Sequence, residues 1–237
     1  MTSYGQFCPV AKAAEIIATR WTPLILREMI LGSSHFNDIH RGVPLMSRTL
    51  LSTRLKELER IGVIKRLSAV GRNTSAYQLT RMGDELKPII IALGAWGQKW
   101  VESAYESDDW DAGVLMWDIR RRINVQTIRM QKTVIQFDFD DAPKEMKRWW
   151  IVVENGEVDL CQRDPGFDVD LYVTSDVRTL SRVWIGQRRL SKEIAADRIY
   201  LSGDKRLIGS IAKWFSLAKI NEVAKETRTL LSSMPVT

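Results

Sequence analysis

The chain has 237 residues, 45% hydrophobic and 27% charged, a make-up that fits a globular protein of one large or two ordinary domains and excludes a disordered or fibrous one. The longest apolar run, from Pro88 to Leu93, is too short to span a bilayer, and the two cysteines, Cys8 and Cys161, exclude a disulfide framework. Met1-Thr2-Ser3-Tyr4 lacks the basic-then-apolar order of a secretory leader, so the expectation is a cytoplasmic protein without a membrane partner.

Helical periodicity dominates the first hundred residues. Cys8-Pro9 opens a helix running to about Thr19, with proline where a missing N–H costs nothing. Thr22-Pro23 starts a second, ended by Gly32, with Leu24, Ile25, Ile30 and Leu31 as its expected buried stripe. Residues 35–41 read as a short third helix closed by Gly42 and Pro44. Ser47 caps a fourth over 48–61, stopped by Gly62, with Leu51, Leu55 and Leu58 on one face. Residues 63–69 and 75–79 read as strands joined by the turn-rich Val70-Gly71-Arg72-Asn73-Thr74, and Thr80 caps a long last helix to about Ser103.

The acidic, aperiodic stretch 104–111 reads as a linker, dividing the chain into domains 1–104 and 111–229. Beyond it, a helix is expected at 111–123 and strands at 132–139, 149–154 and 157–163, the last two flanking the hairpin signal Asn155-Gly156. A strand at 169–174, helices at 176–185 and 191–197, a strand at 198–201 and a helix at 205–217 complete an α+β pattern.

A short helix, a Gly-containing turn, a capped helix and a basic hairpin are the parts of a winged helix-turn-helix. The charge agrees in placement: residues 1–105 carry a net +6 and residues 106–237 a net of zero, and 36–81 alone hold nine basic against three acidic residues. Lysines and arginines so grouped gain affinity for a polyanion by releasing its counterions, although a solvated basic face has the same composition.

With Leu51, Leu55 and Leu58 inward, the fourth helix turns Thr49, Thr53, Lys56 and Arg60 outward, with Arg48 and Ser52 on the flanks. The expected DNA contacts are therefore Ser47, Arg48, Thr49, Ser52, Thr53 and Lys56, with Arg72 and Asn73 from the hairpin tip. Arg48, Thr49, Ser52 and Thr53 are the base-edge candidates and Lys56 the phosphate contact, while Arg54 is expected to pair with Glu57 or cover Leu58. An ordinary amphipathic helix beside an exposed turn arginine is the bland alternative.

Leu86, Ile89, Ile90, Leu93, Trp96 and Trp100 form an apolar stripe on the last helix, with Gly94 and Gly97 permitting close approach of a second helix. Either the stripe packs on its own core or it meets its copy in a homodimer. The dimer would place two recognition helices about one DNA turn (~34–36 Å) apart.

Residues 8–100 resemble the HxlR family of winged-helix regulators, relatives of MarR, through Cys8-Pro9-Val10, Arg20-Trp21-Thr22-Pro23-Leu24-Ile25-Leu26-Arg27-Glu28, His35-Phe36-Asn37-Asp38-Ile39, the whole run Met46 to Glu59, and Tyr77-Gln78-Leu79-Thr80. The resemblance implies a homodimer that binds double-stranded DNA at a pseudo-palindromic operator and represses or activates transcription. It also implies that Cys8, at a helix start that favours a thiolate, stands where some members sense oxidants or electrophiles. A small apolar plug is the other reading of Cys8.

Residues 111–225 resemble the sterol-carrier-protein family through Trp150 to Val158, Val169 to Thr174, Asp176 to Leu180, Val183 to Gly186 and Ile199 to Asp204. That resemblance implies a sheet with helices enclosing an apolar tunnel and no catalytic residues. Trp149, Trp150, Trp184 and Trp214 would line the tunnel for an apolar small-molecule effector, or else fill a solid core. No Walker loop, Gly-x-Ser-x-Gly, HExxH or CxxC is present, so neither an enzyme nor a cofactor is expected. His35 and His40 are poorly spaced for a metal, and Asp138, Asp140 and Asp141 read as a solvated turn. A lipid-binding adaptor whose winged domain only dimerises is the competing function.

Overall fold

A computed structural model describes residues 3–68, 75–101, 105–106, 109–128 and 131–215, and resolves them into two compact units that divide between Gly97 and Gln98. In the first, the helices are α1 (Pro9–Ile17), α2 (Thr22–Ile30), α3 (Phe36–Gly42) and α4 (Arg48–Ile61). The strands β1 (Ile64–Ser68) and β2 (Ser75–Leu79) follow, then α5 (Arg81–Asp84) and α6 (Lys87–Trp100), whose residues from Gln98 onward are counted with the second unit.

The core of this unit gathers Ile25, Leu26 and Met29 of α2, Ile39 of α3, the three leucines of α4, and Val63, Ile64 and Ile90. The buried face of α2 is thus Ile25, Leu26 and Met29; Leu24, expected inside, is exposed. Glu28 lies on that same buried face with no solvent exposure. Its Oε1 accepts from Arg27 Nη2 (2.9 Å) and Nε (3.1 Å), and its Oε2 from Ser33 Oγ (3.4 Å). Arg27 Nη2 also donates to the Gly42 carbonyl (2.8 Å), tying α2 to the end of α3.

Strands β1 and β2 pair antiparallel from Ile64↔Leu79 to Ser68↔Ser75, and His35 adds an isolated antiparallel bridge to Ala76. The helix capped by Thr80 is short, contrary to the expectation of one long helix. Thr80 Oγ1 accepts from Gly83 N, but α5 stops at Asp84 and α6 begins at Lys87. Pro88 explains the break: inside a continuous helix it would lack the N–H owed to the residue-84 carbonyl and clash with it, whereas in the first turn of a new helix neither cost arises.

The second unit contains α7 (Ala112–Arg122), β3 (Lys132–Phe139), β4 (Arg148–Glu154), β5 (Glu157–Cys161), β6 (Leu171–Ser175), α8 (Val177–Trp184), α9 (Leu190–Ala195), β7 (Ile199–Gly203) and α10 (Lys205–Trp214). Its sheet has the order β5-β4-β3-β6-β7, with β3 and β6 parallel at the centre and every other pair antiparallel. Asn155 (φ 52°) and Gly156 (φ 81°) make the two-residue β4–β5 turn, the positive-φ pair that hairpin twist favours. Aspartates cap three helices: Asp111 accepts from Val114 N, Asp176 from Thr179 N and Asp204 from Leu207 N.

The four tryptophans do not surround a common chamber, a correction to the tunnel-lining expectation. Trp149, Trp184 and Trp214 lie in the main core with α7, α8 and α10, whereas Trp150 packs with Val134 and Val152 on the opposite face of the sheet. Each indole N–H is already bonded: Trp149 to the Met146 carbonyl (2.8 Å), Trp150 to Gln136 Oε1 (3.0 Å), Trp184 to Asp118 Oδ2 (2.7 Å) and Trp214 to the Leu207 carbonyl (3.1 Å). Bonded and buried, they are packing elements.

Glu193, 3% exposed, ties Arg198 (Nε at 2.5 Å) to Arg188 (Nη1 at 3.4 Å). The Arg198 hydrogen bond, chiefly, holds its carboxyl below the ordinary 4.5 of a glutamate. A lowered folded pKa gives stability that is complete above about pH 4.5 and lost as pH falls through the folded value. Urea unfolding of the second unit between pH 3 and 7 is therefore expected to weaken toward acid, and Glu193→Gln to remove part of that slope. An unchanged slope would discard Glu193 as a contributor.

Candidate nucleic-acid interface

Helix α4 is built to present one side. Ser47 Oγ accepts from Leu50 N (3.2 Å) and begins the helix, Gly62 (φ 87°) ends it, and Leu51, Leu55 and Leu58 are at most 1% exposed. The opposite side carries Ser47, Arg48, Thr49, Thr53, Lys56 and Arg60, all exposed, with Ser52 half-buried at the margin. Thr53 Oγ1 is turned back onto the Thr49 carbonyl (3.1 Å), leaving the oxygen's acceptor capacity outward. Arg54 pairs with Glu57, as expected, so it is not part of this surface.

The turn before α4 is held by α3. His40 Nε2 lies 2.9 Å from the Met46 carbonyl, and since a carbonyl only accepts, that nitrogen carries the hydrogen. Arg48 Nη2 donates to Asn37 Oδ1 (2.8 Å), and its guanidinium lies over the Phe36 ring, 4.9 Å from Cζ to centroid. Sequence patterning gives Phe36, Asn37 and His40 no part in this surface, because they meet α4 only across the turn. Lys65 and Arg66 on β1 are exposed and carry positive charge along the wing stem. Arg72 and Asn73, at the expected tip, fall outside the described residues.

At the start of α6 and along it the expected apolar stripe divides. Leu86 and Ile90 pack on the unit's own core, while Ile89, Leu93, Trp96 and Trp100, spaced i, i+4, i+7, i+11, are 47–62% exposed. Four large apolar side chains in one helical row make an apolar face that the described residues leave exposed.

Cys8 is the N-cap of α1 and is half-buried; its side chain makes no capping bond. Cys161 lies on β5, where burial and then the Asp159 carboxylate raise its thiol pKa and disfavour the reactive thiolate. Asp138 lies on β3, not in a turn, and pairs with Arg148 (2.9 Å); in the turn that follows, Asp141 accepts from Val177 N (2.9 Å). Among the described residues no group of three His, Cys, Asp or Glu side chains could hold a metal ion, and no helix is long and apolar enough to cross a membrane.

A paired β-hairpin beside a capped helix with one exposed polar face is the arrangement of the winged helix-turn-helix class of DNA-binding regulators. The chain belongs to the HxlR-like helix-turn-helix family, whose profile matches residues 16–105. Two uncharacterized HTH-type transcriptional regulators of Bacillus subtilis (strain 168) are similar to it. YvaP is 36% identical over 105 residues, covering 43% of this chain and 95% of that relative; YdeP is 33% identical over 110 residues, covering 43% and 85%. A solved structure of the redox regulator HypR in its oxidized form is 30% identical, with a TM-score of 0.37, and the match covers 39% of this chain and 96% of that one.

Proposed function

We propose that the winged unit, residues 1–104, reads a pseudo-palindromic operator as a homodimer. The amino-terminal turns of α4 enter the major groove, with Arg48, Thr49, Ser52 and Thr53 at base edges and Ser47 and Lys56 at phosphates. Arg72 and Asn73 reach the flanking minor groove from the wing. One observation carries this reading: among the described residues, the side of α4 opposite its three buried leucines is exposed and carries hydroxyl, guanidinium and ammonium groups. A helix serving only as scaffold for a dimerising adaptor would not need that face open.

The dimer is supported by the exposed row Ile89, Leu93, Trp96 and Trp100, which a two-fold axis would place against its own copy. Selection of bound sequences from random duplex DNA tests the function as a whole. An inverted repeat with half-sites one helical turn apart is expected; binding without sequence preference would instead favour the adaptor.

Two modulators complete the reading. Cys8 is proposed as an oxidant-responsive thiol, on the strength of its half-exposed place at the start of α1. Residues 111–229 are proposed as a sterol-carrier-like effector unit, supported by a five-stranded mixed sheet with α7, α8 and α10 contributing to one core. A single operator-binding assay tests both. Diamide is expected to change the affinity of the wild-type chain and not of Cys8→Ser, and a panel of fatty acids and apolar aromatics is expected to contain a ligand that changes both equally. Equal diamide responses would remove Cys8, and a flat panel would remove the effector.

A further inference from the structure

The geometry points to Asn37 as the residue that positions Arg48 for base recognition, an assignment that rests on the operator-reading function proposed above. Arginine is a costly reader because its side chain has several rotatable bonds, and fixing them on binding loses rotamer freedom. Here that side chain is fixed in advance. Asn37 Oδ1 accepts one N–H of Nη2 at 2.8 Å, and the Phe36 ring supports the guanidinium plane, 4.9 Å from Cζ to centroid.

A guanidinium has five N–H groups, and Asn37 takes one, so an edge with paired donors is still available for the O6 and N7 acceptors of a guanine. Both Asn37 and Arg48 are exposed, so the bond is not a demand of the core: a surface arginine could satisfy itself with water. The supports come from the same helix, α3, that fixes the turn through His40 and Met46, so the arginine and the helix bearing it are located by one element. Phe36 is itself half-buried against the core and stacks 6.4 Å from the His40 ring, which makes it a firm base. Asn37 is therefore a positioning residue for specificity: it does not need to touch DNA for its loss to be felt at one base pair.

The test uses the full-length chain, sequence selection from random DNA, and thermal midpoints to verify folding. Arg48→Ala first identifies the base pair at which preference is lost. Asn37→Ala is then expected to weaken preference at that same base pair by about 3- to 10-fold, with the other positions, the affinity for non-specific duplex and its salt dependence unchanged. The double variant is expected to be no worse at that base pair than Arg48→Ala alone. Asn37→Asp keeps the acceptor and is expected to keep the preference, with lower overall affinity because a carboxylate is brought near phosphates.

Intact preference in Asn37→Ala would overturn the assignment, as would single-variant effects that multiply, since those belong to a residue contacting DNA independently. A wild-type chain without any sequence preference would overturn the operator function itself, and this assignment with it.

Discussion

Leu93→Asp is expected to turn the proposed dimer into monomers and to lower affinity for the proposed operator by about 100-fold or more. Leu93 stands in the middle of the exposed row on α6, between Ile89 and Trp96, and is 51% exposed in the single chain. Aspartate there leaves the monomer's own core untouched, since Leu86 and Ile90 face that core and Leu93 does not. In a two-fold assembly the change acts twice, placing two carboxylates in an apolar seam, and an unpaired charge removed from water costs several kcal/mol. The seam otherwise gains about 1–1.5 kcal/mol from each of these side chains, since each is already about half-buried in the single chain. Two tethered readers exceed one by about 10²–10⁴ in affinity, and that factor is what the variant forfeits. Sedimentation and operator titration measure the two halves of the claim. A variant that stays dimeric would move the interface elsewhere, and a monomer with full operator affinity would detach DNA reading from dimerisation.

Gly42→Ala is expected to destabilise the winged unit by about 3 kcal/mol or more, although it adds a single methyl group. The new Cβ would stand 1.9 Å from Glu28 Cδ and 2.0 Å from its Oε2. Glu28 cannot step aside cheaply, because its carboxylate has no solvent exposure and is engaged by Arg27 and Ser33. Displacing it separates a fully buried carboxylate from Arg27, whose own side chain is 36% exposed, and strains the Arg27 bond to the Gly42 carbonyl; stripping a buried charge of its partner typically costs about 3–5 kcal/mol, toward the lower end where one partner is solvated. Against the 5–15 kcal/mol total of an ordinary domain, that is a large share. Urea unfolding measures it; a loss below about 1 kcal/mol would mean that Glu28 relaxes freely and that the α2–α3 tie is weak.

Helix α4 was legible in the sequence because three independent signals agreed: the Ser47 cap, the leucines at i, i+4 and i+7, and the Gly62 stop. The Asn155-Gly156 hairpin was legible for a similar reason, since one dipeptide specifies its turn. Other features were hidden by signals that competed. Apolar periodicity through Leu86, Ile89, Ile90 and Leu93 masked the break before α6, although Pro88 announced it. Glu28 falls three residues after Ile25, on the buried face of α2, but a carboxylate is ordinarily assigned to solvent. Trp149 and Trp150 were expected to share a chamber, yet neighbours in a strand point to opposite faces, and β4 separates them accordingly. The grip of Asn37 on Arg48 had no linear signal at all, being made by two helices that meet across a turn.

The interruption between α5 and α6 also makes a lever. Helix α6 is 14 residues long, so it extends about 21 Å from a joint fastened to the winged core chiefly by Leu86 and Ile90. A tilt of about 10° at that joint displaces the far end by about 3.6 Å, close to the ~3.4 Å rise of one base pair. In the proposed assembly, a tilt of that size at the fulcrum would change the spacing of the paired readers by about one base-pair step.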